Sequence, residues 1–256
     1  MKIGYCGSPE DVLRFANDPF DFIEINLSEL KDKTDEDIER YKDNTAKAGI
    51  PIESGCCFFP GDVRLCGSNY SAEFLKEYCH NILSKAQKLG VKIAVIGSGR
   101  ARNIDDGEDA NLCWQQLEES FSLIADIAAE YGVAIVVEPL NSEDTNVINN
   151  LTQGGDFVRK LSHPNLFLLA DLFHITREGE SYQGITDNAD ILRHVHVAEG
   201  INRHFPCEGD GFNYDEFVAC LKKINYTGKI SIEAVPTDDY DKEIKSSIRF
   251  LHSIFE

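Results

Sequence analysis

Short runs in which apolar and polar residues alternate recur along the whole chain, and segments with helical spacing separate them. FDFIEIN alternates from position 20 and LRHVHV from position 192, and a period of two is typical of β-strands. Between such runs apolar residues recur every three or four positions, as from Phe74 to Leu89, which is typical of an amphipathic helix. The pattern predicts eight strands, at residues 2–6, 20–26, 50–55, 92–96, 133–138, 166–171, 192–197 and 229–234.

Start and stop signals mark the predicted helices between these strands. Thr34 and Asp37 form a capping-box pattern that opens a helix, which closes at Gly49. Other helices are predicted to begin at residues 8–11, to end before Gly90 and Gly132, and to occupy residues 156–161, 187–192, 214–224 and 240–255. Eight strands that alternate with helices over about 250 residues predict an α/β fold, the (β/α)8 TIM barrel.

The alternative to a barrel is an open, doubly wound sheet. No GxGxxG motif follows the first strand to support that arrangement. No linker or break in composition divides the chain, so we expect one domain over residues 1–256.

Composition narrows the class of partner. The 44 acidic and 25 basic residues give a formal charge of −19, which opposes binding to a nucleic-acid backbone. No apolar stretch approaches the roughly 18 residues that cross a bilayer, and the N-terminus lacks the apolar core of a signal peptide. The eight cysteines are scattered without a CxxC pair, which favours reduced thiols. We therefore expect a cytoplasmic protein with no nucleic-acid or membrane partner; a homo-oligomer is left open.

Four predicted strands end in a potential metal ligand: Glu138, Asp171, His196 and Glu233. In a parallel barrel the carboxyl ends of all strands open onto one face, so we expect these side chains to converge. Three carboxylates at one point repel each other strongly unless a cation neutralises them. One imidazole with three carboxylates suits one divalent metal, with Mn²⁺ the best fit and Mg²⁺, Co²⁺, Fe²⁺ and Zn²⁺ as alternatives.

Three further features lie near this predicted site. His194 shares a strand face with His196, and we expect it to be a buried partner rather than a ligand. Glu24 also lies within a strand and is a candidate to support the ligands. The segment GSGRAR, from Gly97 to Arg102, either holds a phosphate or packs closely at the barrel rim.

The motifs around these residues resemble the xylose isomerase-like barrels. The matching pieces are EPLN at Glu138, DLFH at Asp171, HVAEGINR at His196, the following PCEGDG, and IEAV around Glu233. That family includes ketose 3-epimerases, hydroxypyruvate isomerase, inosose dehydratase and the endonuclease-four type of nuclease. The resemblance implies that Glu138, Asp171, His196 and Glu233 hold one divalent metal and that Glu138 and Glu233 serve as catalytic acid and base.

The resemblance also implies substrate-binding residues. His174 matches the substrate-binding histidine of the epimerases. Arg203 is similar to their substrate-binding arginine, one residue further from His196 than is usual, and Asp144 stands where epimerases carry a glutamate.

A metal flanked by two carboxylates suits proton transfer at a carbon next to a carbonyl. We predict a small-molecule sugar as substrate and a ketose 3-epimerase that acts through an enediolate. The alternatives are an aldose–ketose isomerase like hydroxypyruvate isomerase, an inosose-type dehydratase, and a barrel that binds without catalysis. The nuclease is a weaker match, because the three-zinc cluster of such nucleases needs histidines from early strands. Residues 1–162 of this chain contain a single histidine, His80.

Overall fold

Eight parallel strands close into a barrel in chain order in the computed structural model, which describes residues 1–237 and 239–255. Each strand pairs with the next in sequence, and the last, β8, pairs in parallel with the first, β1. This confirms the predicted TIM barrel. The strands are β1 (Lys2–Cys6), β2 (Phe22–Asn26), β3 (Ile52–Cys56), β4 (Ile93–Ile96), β5 (Ala134–Val137), β6 (Leu166–Asp171), β7 (Leu192–Val197) and β8 (Lys229–Ile232).

Helices connect the strands around the outside of the barrel. They are α1 (Asp35–Ala48), α2 (Ala72–Leu89), α3 (Gly99–Arg102), α4 (Ala110–Glu130), α5 (Leu151–Leu161), α6 (Leu172–Glu178), α7 (Gln183–Asp187), α8 (Asp215–Lys223) and α9 (Tyr240–Phe255). Short 3₁₀ helices, Val12–Phe15 and Ser28–Asp32, follow β1 and β2. No helix in these described ranges is both long enough and apolar enough to span a membrane.

The prediction of helices was least accurate between β5 and β7. The helix expected at residues 187–192 is wrong, because Asp187 ends α7 and Leu192 begins β7. The helix expected at residues 156–161 begins earlier, at Leu151, where the side chain of Asn150 accepts a hydrogen bond from the Gln153 N–H and caps it. The predicted helix near residues 8–11 is a short 3₁₀ turn that begins at Val12.

The main core lies between the barrel and its helices. Outward-facing strand residues such as Ile23, Ile25, Val195 and Val197 are at most 1% exposed and pack there. The barrel interior is mixed: a small apolar group of Cys56, Val95, Val136 and Leu169 adjoins buried polar side chains. Alternation in β2 and β7 therefore points apolar residues outward to the helices and polar residues into the barrel.

Candidate active site

Glu138, Asp171, His196 and Glu233 converge at the carboxyl end of the barrel. Each offers one ligand atom, and these four atoms all lie within 4.8 Å of one another. Asp171 and His196 are partners in the register of β6 and β7. Glu138 and Glu233 were predicted to lie within strands, but in the structure each directly follows the last residue of its strand, β5 or β8.

His196 is oriented by a carboxylate beneath it. Its Nε2 lies 3.0 Å from Oε1 of Glu24, while its Nδ1 faces Glu138 Oε1 at 3.0 Å and Glu233 Oε2 at 3.2 Å. Burial alone would raise the pKa of Glu24, but His194 and His196 together hold that pKa well below its ordinary value. An ionised Glu24 fixes the Nε2–H of His196 on its own side, so Nδ1 is the nitrogen that faces Glu138 and Glu233.

Glu24 is itself the centre of a fully buried network inside the barrel. Its Oε2 accepts hydrogen bonds from the hydroxyls of Ser54 (2.9 Å) and Ser231 (2.5 Å) and contacts Nε2 of His194 at 2.6 Å. All of these side chains are 0% exposed. His194 is thus a buried partner, as predicted, and the network locks the carboxylate that orients His196.

The electrostatics of the cluster favour a positive charge at its centre. Burial would lower the pKa of His196, yet Glu24, Glu233 and Glu138 raise it well above the ordinary value. Burial raises the pKa of Asp171, although Arg203 and His196 oppose the rise. Positive charge on His196 thus lies between Glu24, which faces its Nε2, and Glu138 and Glu233, which face its Nδ1.

The carboxylate of Asp171 indicates that the cluster suits a metal ion. Its Oδ1 accepts the Phe173 N–H at 2.8 Å, but its buried Oδ2 has no hydrogen-bond partner among residues 1–237 and 239–255. A buried carboxylate oxygen without a partner is costly, and a cation would satisfy it. Three carboxylates and one imidazole nitrogen form a hard to borderline donor set, so the residues fit a single divalent cation.

A cavity of about 350 Å³ opens above the cluster and is lined by Glu138, Glu233, His174, Arg203 and Asp144, among others. This volume is near the lower end for small-molecule sites, which suits a compact ligand. A larger cavity, of about 930 Å³, lies at the opposite end of the barrel near Gly49 and Gly90. That cavity contains none of the four converging side chains.

His174 reaches the cavity from α6 and is held by a residue that the sequence did not single out. The backbone and side-chain amides of Asn141 lie 3.3 and 2.8 Å from its Nδ1, so Nδ1 accepts and Nε2 carries the proton. Burial lowers the pKa of His174. The Asn141 side chain also donates to Asp144 (2.8 Å), which places all three in one chain of contacts. The only sequence signal for Asn141 was its place in the EPLN motif.

Arg203 lies at the site despite its one-residue offset. The chain turns back there: the Arg203 N–H donates to the Glu199 carbonyl at 3.0 Å, and the Arg203 φ is 59°. Its Nη2 donates to Glu233 Oε2 at 2.5 Å, and its guanidinium lies 5.1 Å from the Phe173 ring centroid. With His196, it overcomes the effect of burial and lowers the pKa of Glu233 to about 2.

The GSGRAR segment packs closely, and its second arginine is not available to a phosphate. Arg102 is 0% exposed and donates to the Glu138 carbonyl at 2.8 Å, beneath the site. Burial lowers its pKa to about 10. At Gly97 an added Cβ would lie 2.1 Å from Oε2 of Glu138, so a side chain at this position would displace the Glu138 carboxylate. A buried arginine that binds carbonyl groups could not be inferred from the motif alone.

Comparisons with known proteins agree with this architecture. A family-wide sequence profile described as "Xylose isomerase-like TIM barrel" matches residues 14–254. An L-ribulose 3-epimerase of Methylomonas is 29% identical over 126 residues, covering 49% of this chain and 43% of that protein. A 3-dehydro-D-guloside 4-epimerase of Escherichia coli is 22% identical over 99% of this chain and 100% of that protein. Among solved structures, a D-psicose 3-epimerase from Clostridium cellulolyticum with D-tagatose superposes over 100% of both chains, with TM-score 0.87 and 23% identity.

Proposed function

We propose that this chain, which belongs to the xylose isomerase-like TIM barrel family, is a sugar epimerase of the isomerase class that depends on a divalent metal. Its reaction in this proposal is 3-epimerisation of a ketose. The proposal is supported chiefly by the positions of Glu138 and Glu233. Both line the cavity, and one oxygen of each lies within 4.8 Å of ligand atoms of Asp171 and His196. The names of the relatives support the reaction class.

The two glutamates would divide the proton transfer between them. One carboxylate removes the proton from the carbon next to the substrate carbonyl, and the other returns a proton from the opposite face, which inverts that carbon. Despite burial, His196 and Arg203 hold the pKa of Glu233 below its ordinary value, which keeps the residue in the carboxylate form but also makes it a weaker proton acceptor. Return of the proton to the neighbouring carbon would instead give aldose–ketose isomerisation.

Glu138, Asp171, His196 and Glu233 would hold the metal. When bound, Mn²⁺ or a similar divalent ion supplies Lewis-acid stabilisation of the negative charge that develops on the substrate oxygens. Glu24 keeps the His196 ring turned toward the other ligands through its 3.0 Å contact with Nε2. Asp171 and His196 are buried, which strengthens the electrostatic contacts that these two residues make.

His174 and Arg203 would bind and orient the sugar. The Nε2–H of neutral His174 is a donor for a substrate oxygen, because Nδ1 is occupied by Asn141. Arg203 offers a fork of donors beside Glu233, and Asp144, on the cavity wall, is an acceptor for a sugar hydroxyl. The shorter side chain of Asp144, where epimerases carry a glutamate, would alter the choice of sugar.

The reaction is tested by incubating Mn²⁺-loaded protein with a panel of ketoses and with matching aldoses. We expect at least one ketose to reach equilibrium with its C3 epimer, read by ¹³C NMR of the mixture. A 3-keto sugar glycoside belongs in the panel, because the relative from Escherichia coli is named a 4-epimerase. Conversion of aldose only, or dehydration, would favour one of the other reactions of the same site.

Replacing Glu24 with glutamine is expected to weaken Mn²⁺ binding by about 10- to 100-fold. The neutral amide holds the ring of His196 less firmly than the charged carboxylate does. Mn²⁺ affinity is measured by electron paramagnetic resonance of the free ion. Glu53→Gln is the matched control, since Glu53 lies on β3 and pairs with Lys2 and Lys229 rather than with the site. Equal affinities in wild type and Glu24→Gln would remove Glu24 from this positioning role.

Replacing Gly97 with alanine is expected to lower kcat/KM by about 100-fold, because the new Cβ displaces the Glu138 carboxylate. The obstructing atom is the end of a side chain that can move, so the thermal unfolding temperature should change little. Gly184→Ala is the control, because Gly184 lies in α7 and its added Cβ would approach Oε1 of Glu180, at 3.0 Å, a residue that does not line the cavity. Unchanged turnover in Gly97→Ala would show that the Glu138 position is not critical.

A further inference from the structure

Three thiols lie beside the proposed metal centre and take no part in the proposed reaction. Cys6 ends β1, Cys56 ends β3, and Cys57 follows it with a left-handed φ of 49°. The sulfurs of Cys6 and Cys56 lie within 4.8 Å of each other. Strands β1 and β3 thus bring soft donors to the same barrel face to which β5–β8 bring hard donors.

Two of these thiols and one carboxylate have the spacing of a metal site. The sulfurs of Cys6 and Cys56 and an oxygen of Glu233 all lie within 4.8 Å of one another. Two sulfurs bound to one zinc ion can be no more than about 4.6 Å apart, since each Zn–S bond is about 2.3 Å. Tetrahedral zinc sets two sulfur ligands about 3.8 Å apart, so the separation of the two sulfurs needs to shorten by at most about 1 Å to bind one ion.

Glu233 is better placed than Glu24 to complete this group. Cys6 also lies within 4.8 Å of ligand atoms of Glu24 and His196. Those two are already hydrogen-bonded to each other. Oε2 of Glu24 also takes part in hydrogen bonds with Ser54, Ser231 and His194. The contacts of Glu233 with Arg203 and His196, in contrast, both use Oε2. Among the described residues this leaves its second oxygen for another cation.

We infer that Cys6, Cys56 and Glu233 form a second cation site, which takes a thiophilic divalent ion of the Zn²⁺ class. Thiolate ligands select such ions, whereas the neighbouring set of three carboxylates and one imidazole suits Mn²⁺ or Mg²⁺. As the ion binds, two S–H bonds break, two metal–sulfur bonds form, and both protons pass to solvent. The two sites share Glu233, so they are adjacent but differ in the metal that they prefer.

One consequence rests on the proposed function. If Glu233 transfers a proton, an ion that engages its carboxylate from the cysteine side withdraws it from that task. Zn²⁺ is therefore expected to inhibit the Mn²⁺-loaded enzyme, and Cys6→Ser should relieve the inhibition.

The site is tested with Cd²⁺ as the probe, added to the full chain already loaded with one equivalent of Mn²⁺. We expect one equivalent of Cd²⁺ to produce the near-ultraviolet charge-transfer absorption of cadmium thiolate. Loss of groups that merely support a ligand weakens metal binding by about 10- to 100-fold, so Cys6→Ser and Cys56→Ser should weaken Cd²⁺ binding by at least about 100-fold. Cys220→Ser is the matched control, because Cys220 is a half-buried thiol in α8, outside the barrel, and belongs to none of these groups of possible ligands.

The inference is overturned if Cd²⁺ produces no thiolate absorption band in the wild type. It is also overturned if the band keeps its full strength in both Cys6→Ser and Cys56→Ser. X-ray absorption of the Zn²⁺-loaded wild type gives a measurement that needs no variant: two sulfur ligands are expected, and none would contradict the site. Neither measurement uses a sugar. A failed ketose assay therefore overturns the proposed function alone, and an ion without sulfur ligands overturns the cysteine site alone.

Discussion

Formation of the C3 epimer is expected to fall by about 10³-fold or more when either Glu138 or Glu233 is replaced by glutamine. Glutamine has nearly the same shape but neither accepts nor returns a proton, and a positioned acid or base contributes about 10²- to 10⁴-fold. Each glutamate is also a proposed metal ligand, so assays are run at saturating Mn²⁺ with the bound metal counted. The rate is measured by the approach to epimer equilibrium under NMR.

The two variants should differ in a way that identifies the face each glutamate covers. If the glutamates act from opposite faces, one variant can retain slow proton exchange from one epimer while neither variant interconverts the pair. Glu118→Gln is the control, because Glu118 pairs with Lys160 on the outer helices. Full epimerase activity in either Glu138→Gln or Glu233→Gln would exclude that residue as acid or base.

Removal of the metal is expected to abolish activity and to lower the stability of the fold. A ligand that binds only the folded state stabilises it by about 2.7 kcal/mol at 100 times its dissociation constant. For a chain of this size that corresponds to a rise of roughly 5–10 °C in Tm on adding Mn²⁺ to chelator-treated protein. Thermal unfolding followed by circular dichroism measures the shift, and re-added Mn²⁺ should restore turnover.

Asp171→Asn tests whether this effect comes from the proposed centre. The substitution keeps the size of the side chain but removes the charge from the oxygen that has no hydrogen-bond partner among the described residues. We expect Mn²⁺ to leave the Tm of this variant nearly unchanged. A Mn²⁺-dependent rise as large as that of the wild type would place the ion elsewhere.

The sequence predicted the barrel and the convergence of strand ends because both follow from simple periodicity. In LRHVHV the apolar valines face the helices and the histidines face the interior, so alternation alone placed His194 and His196 on one side. Parallel topology then brings the carboxyl ends of β5–β8 to one face, where Asp171 and His196 are partners in register.

The short helices were missed because their signals overlap with those of the strands. Asp171 is both the last residue of β6 and the N-cap of α6, where its side chain accepts the Phe173 N–H. Gly154 and Gly155 weaken the helical signal in the first half of α5, although their lack of a side chain allows close packing against Leu168 and Asn188. Tertiary packing decides these segments, and a single sequence does not report it.

Buried polar groups were the hardest part of the site to predict. Arg102 is fully buried and bonds to the Glu138 carbonyl, whereas an arginine in a glycine-rich loop is ordinarily expected at the surface. Glu24 was recognised only as a candidate, because the partners that define it, Ser54, His194 and Ser231, come from three other strands. Such networks exist only once the barrel has closed.

Proton transfer at C3 is tested by placing the Mn²⁺-loaded protein with a converted ketose in D₂O and locating the deuterium by NMR. The proposed reaction predicts deuterium at C3 in both epimers at equilibrium. The double variant that carries Glu138→Gln and Glu233→Gln should show no hydrogen–deuterium exchange. Deuterium confined to C1 with formation of an aldose, or epimer formation without any deuterium, would contradict 3-epimerisation by proton transfer between the two glutamates.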